Sequence, residues 1–293
     1  MKQIVFISGK GGTGKSTLVS SLSLLVQNKM LADCDVDAPN LHILMNEEIL
    51  NKSDYFGAKE AVIDPMLCIK CGVCRNTCRF ESINDEFEVM PMRCEGCGAC
   101  ILACPQKAIH LEEVKTGELF VSNTPRGTFS HALLDIGAEG SGKLVTEVKK
   151  NVYNSQKGED WALIDGSPGI GCVVIASITG ADAVVAVCEP TKSGKSDLER
   201  VLGVARHFGI SAFVCINKYD LNSEITSEIE EFCEKEGVPV IGKIPFDPSI
   251  VKALRDFKTP IEAGNELVSN EIENIWKRIT DEVKKLEDIR KKS

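Results

Sequence analysis

The sequence predicts an α/β fold, with a doubly wound and mostly parallel sheet and a small inserted domain. Short runs rich in Val and Ile alternate with stretches of helical periodicity over most of the 293 residues, which is typical of parallel strands joined by helices. Between residues 58 and 111 this alternation stops and cysteines arrive in two bursts. That change indicates a compact insertion that is stabilised by metal rather than by a large apolar core.

The first element is an apolar strand, Ile4 to Ile7, followed by a glycine-rich turn and then a helix. The turn matches G-x-x-x-x-G-K-[ST] in full, and its glycines let backbone N–H groups converge on a phosphate at the helix N-terminus. Lys15 is expected to reach the β and γ phosphates, and Ser16 to hold magnesium. A fortuitous Gly/Ser turn is the alternative. The predicted nucleotide-binding residues here are Gly9, Lys10, Gly11, Gly12, Thr13, Gly14, Lys15, Ser16 and Thr17.

A second buried strand is expected to end at Asp33 and to lead into a turn that contains Asp35. Carboxylates at the C-terminal end of a strand lie beside the phosphate site in an open α/β sheet. Asp35 is therefore expected to orient magnesium-bound water, with Asp33 behind it. Ordinary turn chemistry of Asp residues is the alternative.

Residues 58–111 hold only two short strand-like pieces, 61–63 and 108–111, and the α/β alternation is expected to resume at Leu119. The glycine-rich stretch from Gly137 opens a predicted helix that continues to about Asn154. Further buried strands are predicted at 161–165, 183–187, 212–216 and 240–247.

The last predicted element is a helix over residues 270–290 with one apolar stripe. A helix on a membrane surface is the alternative to a helix packed on the domain. The acidic residues of this segment nearly match its basic residues in number, which favours the packed helix.

Composition excludes several classes of function. The formal net charge is −9 and no basic block stands out, so nucleic acid is not an expected partner. The chain shows no signal-peptide pattern and no 18 consecutive apolar residues, which predicts a soluble cytoplasmic protein without stable membrane binding. Of 13 cysteines, eight lie in two tight runs, and this arrangement indicates metal rather than disulfides.

The two cysteine runs have the four-thiolate spacing of a bacterial two-cluster ferredoxin, in which the fourth cysteine of each run binds the other cluster. A zinc site needs only paired CxxC elements and leaves the third and fourth cysteines unexplained. Arg79 follows Cys78 where the usual pattern has proline. The predicted ligands are Cys68, Cys71, Cys74 and Cys104 for the first [4Fe-4S] cluster, and Cys94, Cys97, Cys100 and Cys78 for the second.

The additional lysine of the glycine-rich turn, Lys10, completes the deviant Walker A pattern K-G-G-x-G-K-[ST]. The chain thereby resembles the MinD/ParA/Mrp/nitrogenase-iron-protein class of P-loop ATPases. The segment 33–35 resembles its switch I, and 165–169 resembles its Walker B and switch II. With the cysteine runs, nearly the whole chain resembles MinD-superfamily ATPases that contain an inserted bacterial-type ferredoxin domain. The implied domains are a P-loop NTPase domain, 1–57 and 112–293, and the insert, 58–111.

The resemblance implies that ATP (or ADP) and Mg²⁺ bind between two subunits of an ATP-dependent homodimer, or of a heterodimer with a paralogue. Lys10 would reach the partner's nucleotide while Lys15 holds its own. Asp35 would position the attacking water, and both Asp35 and Asp165 would contact Mg²⁺ through water in a slow or partner-stimulated hydrolysis. The remaining implied contacts are Gly169 to the γ-phosphate, Asn217 to adenine, and Pro245 and Asp247 to the base side.

The chain also departs from members of this class. Nitrogenase iron proteins share a cluster held by two cysteines per subunit, whereas here Cys172 has no counterpart in the glycine-rich stretch 137–143. A shared four-cysteine cluster is therefore not expected. The C-terminal CxxC of the Mrp-type carriers is missing, and no basic membrane-targeting tail is evident.

The leading functional hypothesis is an ATPase whose nucleotide-driven dimer switching controls electron transfer through two [4Fe-4S] clusters to a redox partner. The insertion follows switch I directly, where a nucleotide-dependent movement would be passed on. One alternative is a maturation ATPase that delivers clusters or a metal cofactor to an assembly partner. Another is a positioning ATPase of the MinD/ParA type with a redox-sensing insert.

Overall fold

The computed structural model describes residues 1–290, and the chain divides into two compact units. Unit 1 consists of Met1–Lys52, Leu119–Ala132 and Gly140–Ser293. Unit 2 consists of Ser53–Glu118 and Leu133–Glu139. The predicted insertion, residues 58–111, falls inside the longer stretch of unit 2.

A nine-stranded sheet organises the fold, in the order β3-β4-β5-β2-β6-β1-β7-β8-β9. Every neighbouring pair from β5 through β9 in this order is parallel. The predicted α/β class with a mostly parallel sheet is thus confirmed. The strands are β1 (Lys2–Ser8), β2 (Lys29–Asp33), β3 (Glu48–Ile63), β4 (Ile109–Thr124), β5 (Gly127–Leu134), β6 (Trp161–Pro168), β7 (Ala183–Cys188), β8 (Ala212–Asn217) and β9 (Val240–Ile244).

Helices connect the parallel strands, as the alternating sequence pattern predicts. Side chains cap several of them, for example Ser141 and Thr191, whose hydroxyl oxygens accept hydrogen bonds from backbone N–H groups of the first turn. The helices are α1 (Lys15–Leu25), α2 (Val73–Thr77), α3 (Ala99–Ala103), α4 (Gly142–Asn154), α5 (Cys172–Ile178), α6 (Lys192–His207), α7 (Ser223–Glu236), α8 (Pro248–Arg255) and α9 (Glu266–Arg290). Within residues 1–290, none of them has the length and apolar character needed to cross a membrane.

The core of unit 1 lies between the sheet and helices that include α1 and α9. Strands β1 and β7 are buried almost throughout, which explains their unbroken Val/Ile character. Helix α9 buries Ile272, Ile275 and Ile279 as its stripe predicts, although Ile289 at its end is 63% exposed. An added Cβ at Gly242 would lie 2.2 Å from Cγ1 of Ile275, so this glycine lets α9 approach β9 closely.

Unit 2 has a much smaller apolar core, formed by Ala61, Cys74, Ile83 and Ile109 with partly buried cysteines around them. The prediction of two short strands here was wrong, because residues 61–63 end β3 and residues 109–111 begin β4, each 16 residues long. The predicted resumption at Leu119 falls within β4 for the same reason. Most side chains of β3 are exposed, and only the second half of β4 is mostly buried, so these stretches lack the apolar signal of a buried strand.

Candidate functional site

A glycine-rich loop joins the end of β1 to the start of α1 and forms one wall of a cavity of about 620 Å³. Gly12 and Gly14 have φ values of 82° and 91°, which L side chains rarely adopt, and the loop can therefore curve around a ligand. The lining residues are Ser8, Gly11, Gly12, Thr13, Gly14, Lys15, Ser16, Thr17, Asp35, Asp37, Ala38, Asn40, Ile43, Leu44, Pro168, Leu254 and Phe257.

Lys15 is the buried cation of this cavity, with only 5% of its side chain exposed. Its Nζ donates a hydrogen bond to Oδ1 of Asp165 at 2.5 Å and lies 3.5 Å from Oδ2 of Asp35. Burial alone would lower the pKa of Lys15, but the charges of Asp165 and Asp35 outweigh it and raise that pKa. Lys15 is therefore an ammonium ion paired with carboxylates.

Carboxylates outnumber cations around Lys15. Asp33 is fully buried, and desolvation together with the charge of Asp165 raises its pKa well above the ordinary value. Burial also raises the pKa of Asp35, although Lys15 opposes that shift. The second oxygen of Asp165, Oδ2, is buried without a hydrogen-bond partner among residues 1–290. Such an oxygen-rich set with a free buried acceptor suits Mg²⁺, so Ser16, Asp35 and Asp165 fit a magnesium ion.

Lys10, the second predicted phosphate-binding lysine, lies outside this cavity lining within residues 1–290. Its Nζ is 3.7 Å from Oε2 of Glu189, which follows β7 and also pairs with Lys218. Lys10 is 36% exposed, so it is accessible from solvent, whereas Lys15 is not. The two lysines thus occupy different environments, consistent with different roles.

A second cavity of about 210 Å³ shares Gly12, Gly14, Thr17 and Leu254 with the first. It brings together the three residues predicted on the base side, Asn217, Pro245 and Asp247. Two amphipathic helices, α8 and α9, contribute further lining residues, among them Ile250, Val251 and Ile272. A cavity with apolar lining beside a glycine-rich loop has the character of a nucleobase site.

Two predicted residues make contacts that hold the loop itself, and a third caps a helix. Nδ2 of Asn217 donates to the carbonyl of Thr13 at 2.7 Å, and the N–H of Gly169 donates to the carbonyl of Ser8 at 2.8 Å. Asp247 accepts hydrogen bonds from the Ser249 N–H and from Nδ2 of Asn265, which lower its pKa and cap α8. The roles of these residues toward a nucleotide stay predictions.

The eight cysteines of the two runs line two small cavities of unit 2. Each run supplies three cysteines to one cavity and its fourth to the other. One cavity is lined by Cys68, Cys71, Cys74 and Cys104, and the other by Cys78, Cys94, Cys97 and Cys100. The structure therefore brings the cysteines together in the same two sets that the spacing predicts.

Backbone N–H groups point at three of these sulfurs. Ala108 N lies 3.3 Å from Cys104 Sγ, Ala61 N lies 3.4 Å from Cys94 Sγ, and Ser82 N lies 3.5 Å from Cys78 Sγ. For Cys78, burial would raise the pKa, but the hydrogen bonds led by Ser82 outweigh it and lower that pKa. Such donors stabilise thiolates, the form that binds iron.

Within residues 1–290, no group of three or more His, Cys, Asp or Glu side chains is arranged to hold a single metal ion. A cubane cluster makes a different demand, because each of its four thiolates binds a different iron and the sulfurs therefore stand farther apart than around one ion. The other five cysteines lie outside both cavities. Cys34, Cys188, Cys215 and Cys233 are buried, as expected of small hydrophobic side chains, and Cys172 is exposed.

Sequence reasoning missed Glu189, His131 and Lys149. Glu189 directly follows the buried strand β7, and Asp35 lies two residues beyond β2, so the same strand-end argument would have found Glu189. His131 is buried beside Glu47, and Nζ of the buried Lys149 donates to the carbonyls of Ser177 and Thr179. Nothing in the sequence marks these two residues, because their partners lie far along the chain.

Comparisons with known proteins agree with this geometry. Residues 4–261 match the family model described as the CobQ/CobB/MinD/ParA nucleotide binding domain. Two uncharacterized proteins of Methanocaldococcus jannaschii are similar to the chain. One is 32% identical over 288 residues (94% of this chain, 96% of the relative), and the other is 30% identical over 231 residues (76% and 82%).

A solved structure, the septum site-determining protein MinD of Pyrococcus horikoshii complexed with Mg-ADP, superposes with a TM-score of 0.57 at 16% identity. The superposition covers 94% of this chain and 93% of that one. At this level of identity, the likeness concerns the fold alone.

Proposed function

The chain belongs to the CobQ/CobB/MinD/ParA nucleotide-binding family, and on that premise we propose that it is a magnesium-dependent ATPase carrying two [4Fe-4S] clusters. Nucleotide-driven switching of a dimer would control electron transfer through the clusters. The observation that carries the redox part of this proposal is the grouping of eight cysteines into two sets of four, each around its own cavity. The ATPase part rests on the glycine loop and on Lys15 with its carboxylates.

In the nucleotide site, the triphosphate would compete with Asp165 and Asp35 for the ammonium group of Lys15. Ser16, Asp35 and Asp165 would hold Mg²⁺, which stabilises negative charge on the phosphates when bound. Asp35 lines the cavity and would orient an attacking water. The chain's own contribution is thus positioning and electrostatic stabilisation, as is general for phosphoryl transfer.

The nucleotide proposal is tested by comparing Lys15→Gln with Lys10→Gln. Because Lys15 is buried in the cavity, its loss should weaken ATP binding by about 100-fold. Lys10 faces Glu189 instead, so Lys10→Gln should bind ATP within a few-fold of the unmodified chain but hydrolyse it more slowly. Isothermal titration calorimetry and phosphate release measure the two properties. Unchanged ATP affinity in Lys15→Gln would refute the assigned site.

In unit 2, Cys68, Cys71, Cys74 and Cys104 would hold one cluster, and Cys78, Cys94, Cys97 and Cys100 the other. When bound, such clusters supply one-electron transfer. The N–H groups that point at Cys78, Cys94 and Cys104 would stabilise the negative charge on these sulfurs.

The cluster proposal is tested on protein purified without oxygen, which should contain about eight iron atoms per chain. Cys104→Ala should remove the same paramagnetic resonance signal as Cys71→Ala, and not the signal lost in Cys97→Ala. Cys233→Ala, at a buried cysteine outside both cavities, is the matched control and should keep both signals. Loss of the same signal in Cys104→Ala and Cys97→Ala would contradict the proposed ligand sets.

Coupling between the two parts is tested by titrating the cluster potentials with and without a non-hydrolysable ATP analogue. We expect the nucleotide to change a potential or the rate of electron transfer to a copurifying redox partner. Identical potentials and identical rates would leave an iron-sulfur ATPase without the proposed coupling.

The dimer is also part of the proposal. Lys10 is half-buried, with 36% of its side chain exposed, and lies outside the lining of the cavity that holds Lys15, so its ammonium group would be within reach of the nucleotide of a second subunit. A heterodimer with a paralogue is the other arrangement, motivated by the two relatives found in one archaeon. Light scattering with and without ATP distinguishes an ATP-dependent homodimer from a chain that stays monomeric until a paralogue is added.

The family match supports a second candidate, a positioning ATPase of the MinD/ParA type with a redox-sensing insert. This function predicts that a fluorescently tagged chain has an uneven distribution in the cell, and that Lys15→Ala makes the distribution uniform. A uniform distribution of the unmodified chain would exclude this candidate.

A further inference from the structure

A buried histidine, His131 of β5, holds the short segment that follows switch I. This segment runs from Leu41 to Glu47. At its start, the N–H of Leu41 donates to Oδ2 of Asp33 at 3.1 Å, and Ile43 and Leu44 line the phosphate cavity. Its last residue, Glu47, is followed at once by β3, which passes into unit 2 at Ser53.

His131 contacts this segment twice. Its ring stacks on the ring of His42, with centroids 5.4 Å apart and planes 8° apart. Its Nε2 lies 3.0 Å from Oε2 of Glu47, and the hydroxyl of Ser122 in β4 donates to the same oxygen at 2.7 Å. One residue of β5 therefore fixes both the beginning and the end of the segment.

The surroundings of His131 leave it little freedom to move. Only 1% of the residue is exposed, and its ring also stacks on Phe120 and Phe129 with centroid distances of 4.8 Å and 4.9 Å. A tightly packed side chain of this kind passes on a displacement instead of absorbing it. Glu47, which His131 contacts, directly precedes β3, and Ser122, which donates to Glu47, lies in β4. Both strands continue into unit 2.

We propose that His131 is a positioning residue that transmits nucleotide binding to the cysteine unit, by holding the segment Leu41–Glu47 against the strands that continue into that unit. This inference rests on the proposed function for its nucleotide. To the proposed coupling of nucleotide binding to the cysteine unit, the inference adds the residues that carry it. A shift of Leu44 at the phosphate cavity would move Glu47, and with it the start of β3.

Hydrogen–deuterium exchange of the full chain, with its clusters, tests the proposal in the presence and absence of AMPPNP with Mg²⁺. In the unmodified chain we expect slower exchange at the glycine loop and at residues 33–47, together with a change of about three-fold or more in residues 53–63 and 109–118. In His131→Phe, which keeps the stacked ring but loses the bond to Glu47, the first effect should remain and the second should fall to about one third or less.

Two further variants make the result decisive. Glu47→Ala removes the same hydrogen bond at a partly exposed position, so it tests the proposal even if His131→Phe does not fold. His110→Phe, at a 56% exposed histidine of β4, is the matched control and should behave as the unmodified chain.

Three outcomes would contradict either the role of His131 or the proposed function. A full exchange response of unit 2 in both His131→Phe and Glu47→Ala would overturn the inference. So would a response confined to residues 1–47 in the unmodified chain, while the proposed nucleotide site would still stand. Absence of any protection at the glycine loop would instead overturn the proposed function, and the inference with it.

Discussion

At the scale of single residues, the contact between Gly14 and Asn217 shows how closely the phosphate loop is fitted to its neighbours. Gly14 has a φ of 91°, and an added Cβ would lie 2.2 Å from Nδ2 of Asn217. That same Nδ2 donates to the carbonyl of Thr13. Any side chain at position 14 would therefore strain the backbone and push away the amide that holds the loop.

Gly14→Ala should lower the free energy of unfolding by about 2 kcal/mol or more, from left-handed backbone strain and a lost hydrogen bond. Gly11→Ala is the matched control, because its φ lies outside the left-handed region and its added Cβ meets nothing within 4 Å. Its cost should be below about 0.5 kcal/mol. Urea denaturation of both variants measures the difference, and equal costs would contradict the proposed fit.

The buried ring of His131 predicts how stability depends on pH. Burial lowers its pKa, and His42 lowers it further, although the charge of Glu47 opposes both. A folded-state pKa below the ordinary value of about 6.5 means that the stabilisation is fully present above that pH and is lost as the pH falls through the folded pKa.

The free energy of unfolding should thus decrease below about pH 6.5, by at most about 1.4 kcal/mol per pH unit from this one group. His131→Phe should have a flatter profile over the same range, because it has no proton to gain there. Urea denaturation between pH 5 and 8 gives both profiles. A variant profile as steep as that of the unmodified chain would show that another group is responsible.

The glycine-rich loop, Lys15 and Ser16 could be predicted from the sequence, because their spacing is fixed by local backbone geometry. The two cysteine sets could be predicted because the spacing within both runs is that of a bacterial two-cluster ferredoxin. Glu47 and His131 are 84 residues apart and could not, since their contact exists only once the strands are in place. Long-range contacts of buried polar side chains leave no periodic trace in a sequence.

At the scale of elements, helix α5 is held at its C-terminal end by a lysine of another helix. Nζ of Lys149, in α4, donates to the carbonyls of Ser177 and Thr179 at 2.7 Å and 2.6 Å. These are carbonyls that a helix end leaves without a partner within the helix. Burial lowers the pKa of Lys149, yet its position satisfies the end of α5.

Lys149→Met, which keeps an apolar stem, should lower the free energy of unfolding by about 1–3 kcal/mol, because buried carbonyls lose their donor. Lys150→Met is the matched control at the next position, where the side chain is 58% exposed and pairs with Glu147. Its effect should be close to zero. Thermal or urea denaturation measures both, and similar losses in the two variants would rule out the proposed cap.

Strands with an unbroken run of apolar residues could be predicted from the sequence. The strands β3, β4 and β5 lack such a run, and their full extent could not be predicted. Val184 and its neighbours in β7 are buried on both faces, so β7 stands out in the sequence. Most side chains of β3 are exposed, and β5 contains Ser130 and His131, which are buried although they are polar. In these strands, backbone pairing and a few polar contacts replace the apolar pattern on which sequence reading depends.

At the scale of the whole molecule, the two units have very different means of stabilisation. Unit 1 buries a large apolar core that includes Phe6, Phe129 and much of α9. The core of unit 2 contains four buried residues, one of them Cys74. A unit with so little apolar burial needs another source of stability, and the proposed clusters would supply it.

Removal of iron by a chelator under reducing conditions should therefore unfold unit 2 and leave unit 1 folded. Backbone amides of residues 61–63 and 109–111 should then exchange quickly, whereas those of β1 and β7 should keep their protection. Hydrogen exchange followed by mass spectrometry separates these regions. Unchanged protection of unit 2 after complete loss of iron would show that its fold does not depend on metal.

The order of the sheet leaves β3 at one edge, and this position has a consequence for the protein in concentrated solution. An edge strand of 16 residues is a template for pairing with the edge of another molecule, which is a common route to fibres. Here Lys52, Asp54, Lys59 and Glu60 place charges along the strand. Chain-to-chain pairing at this edge would remove these charges from water, so the long strand is expected to resist aggregation.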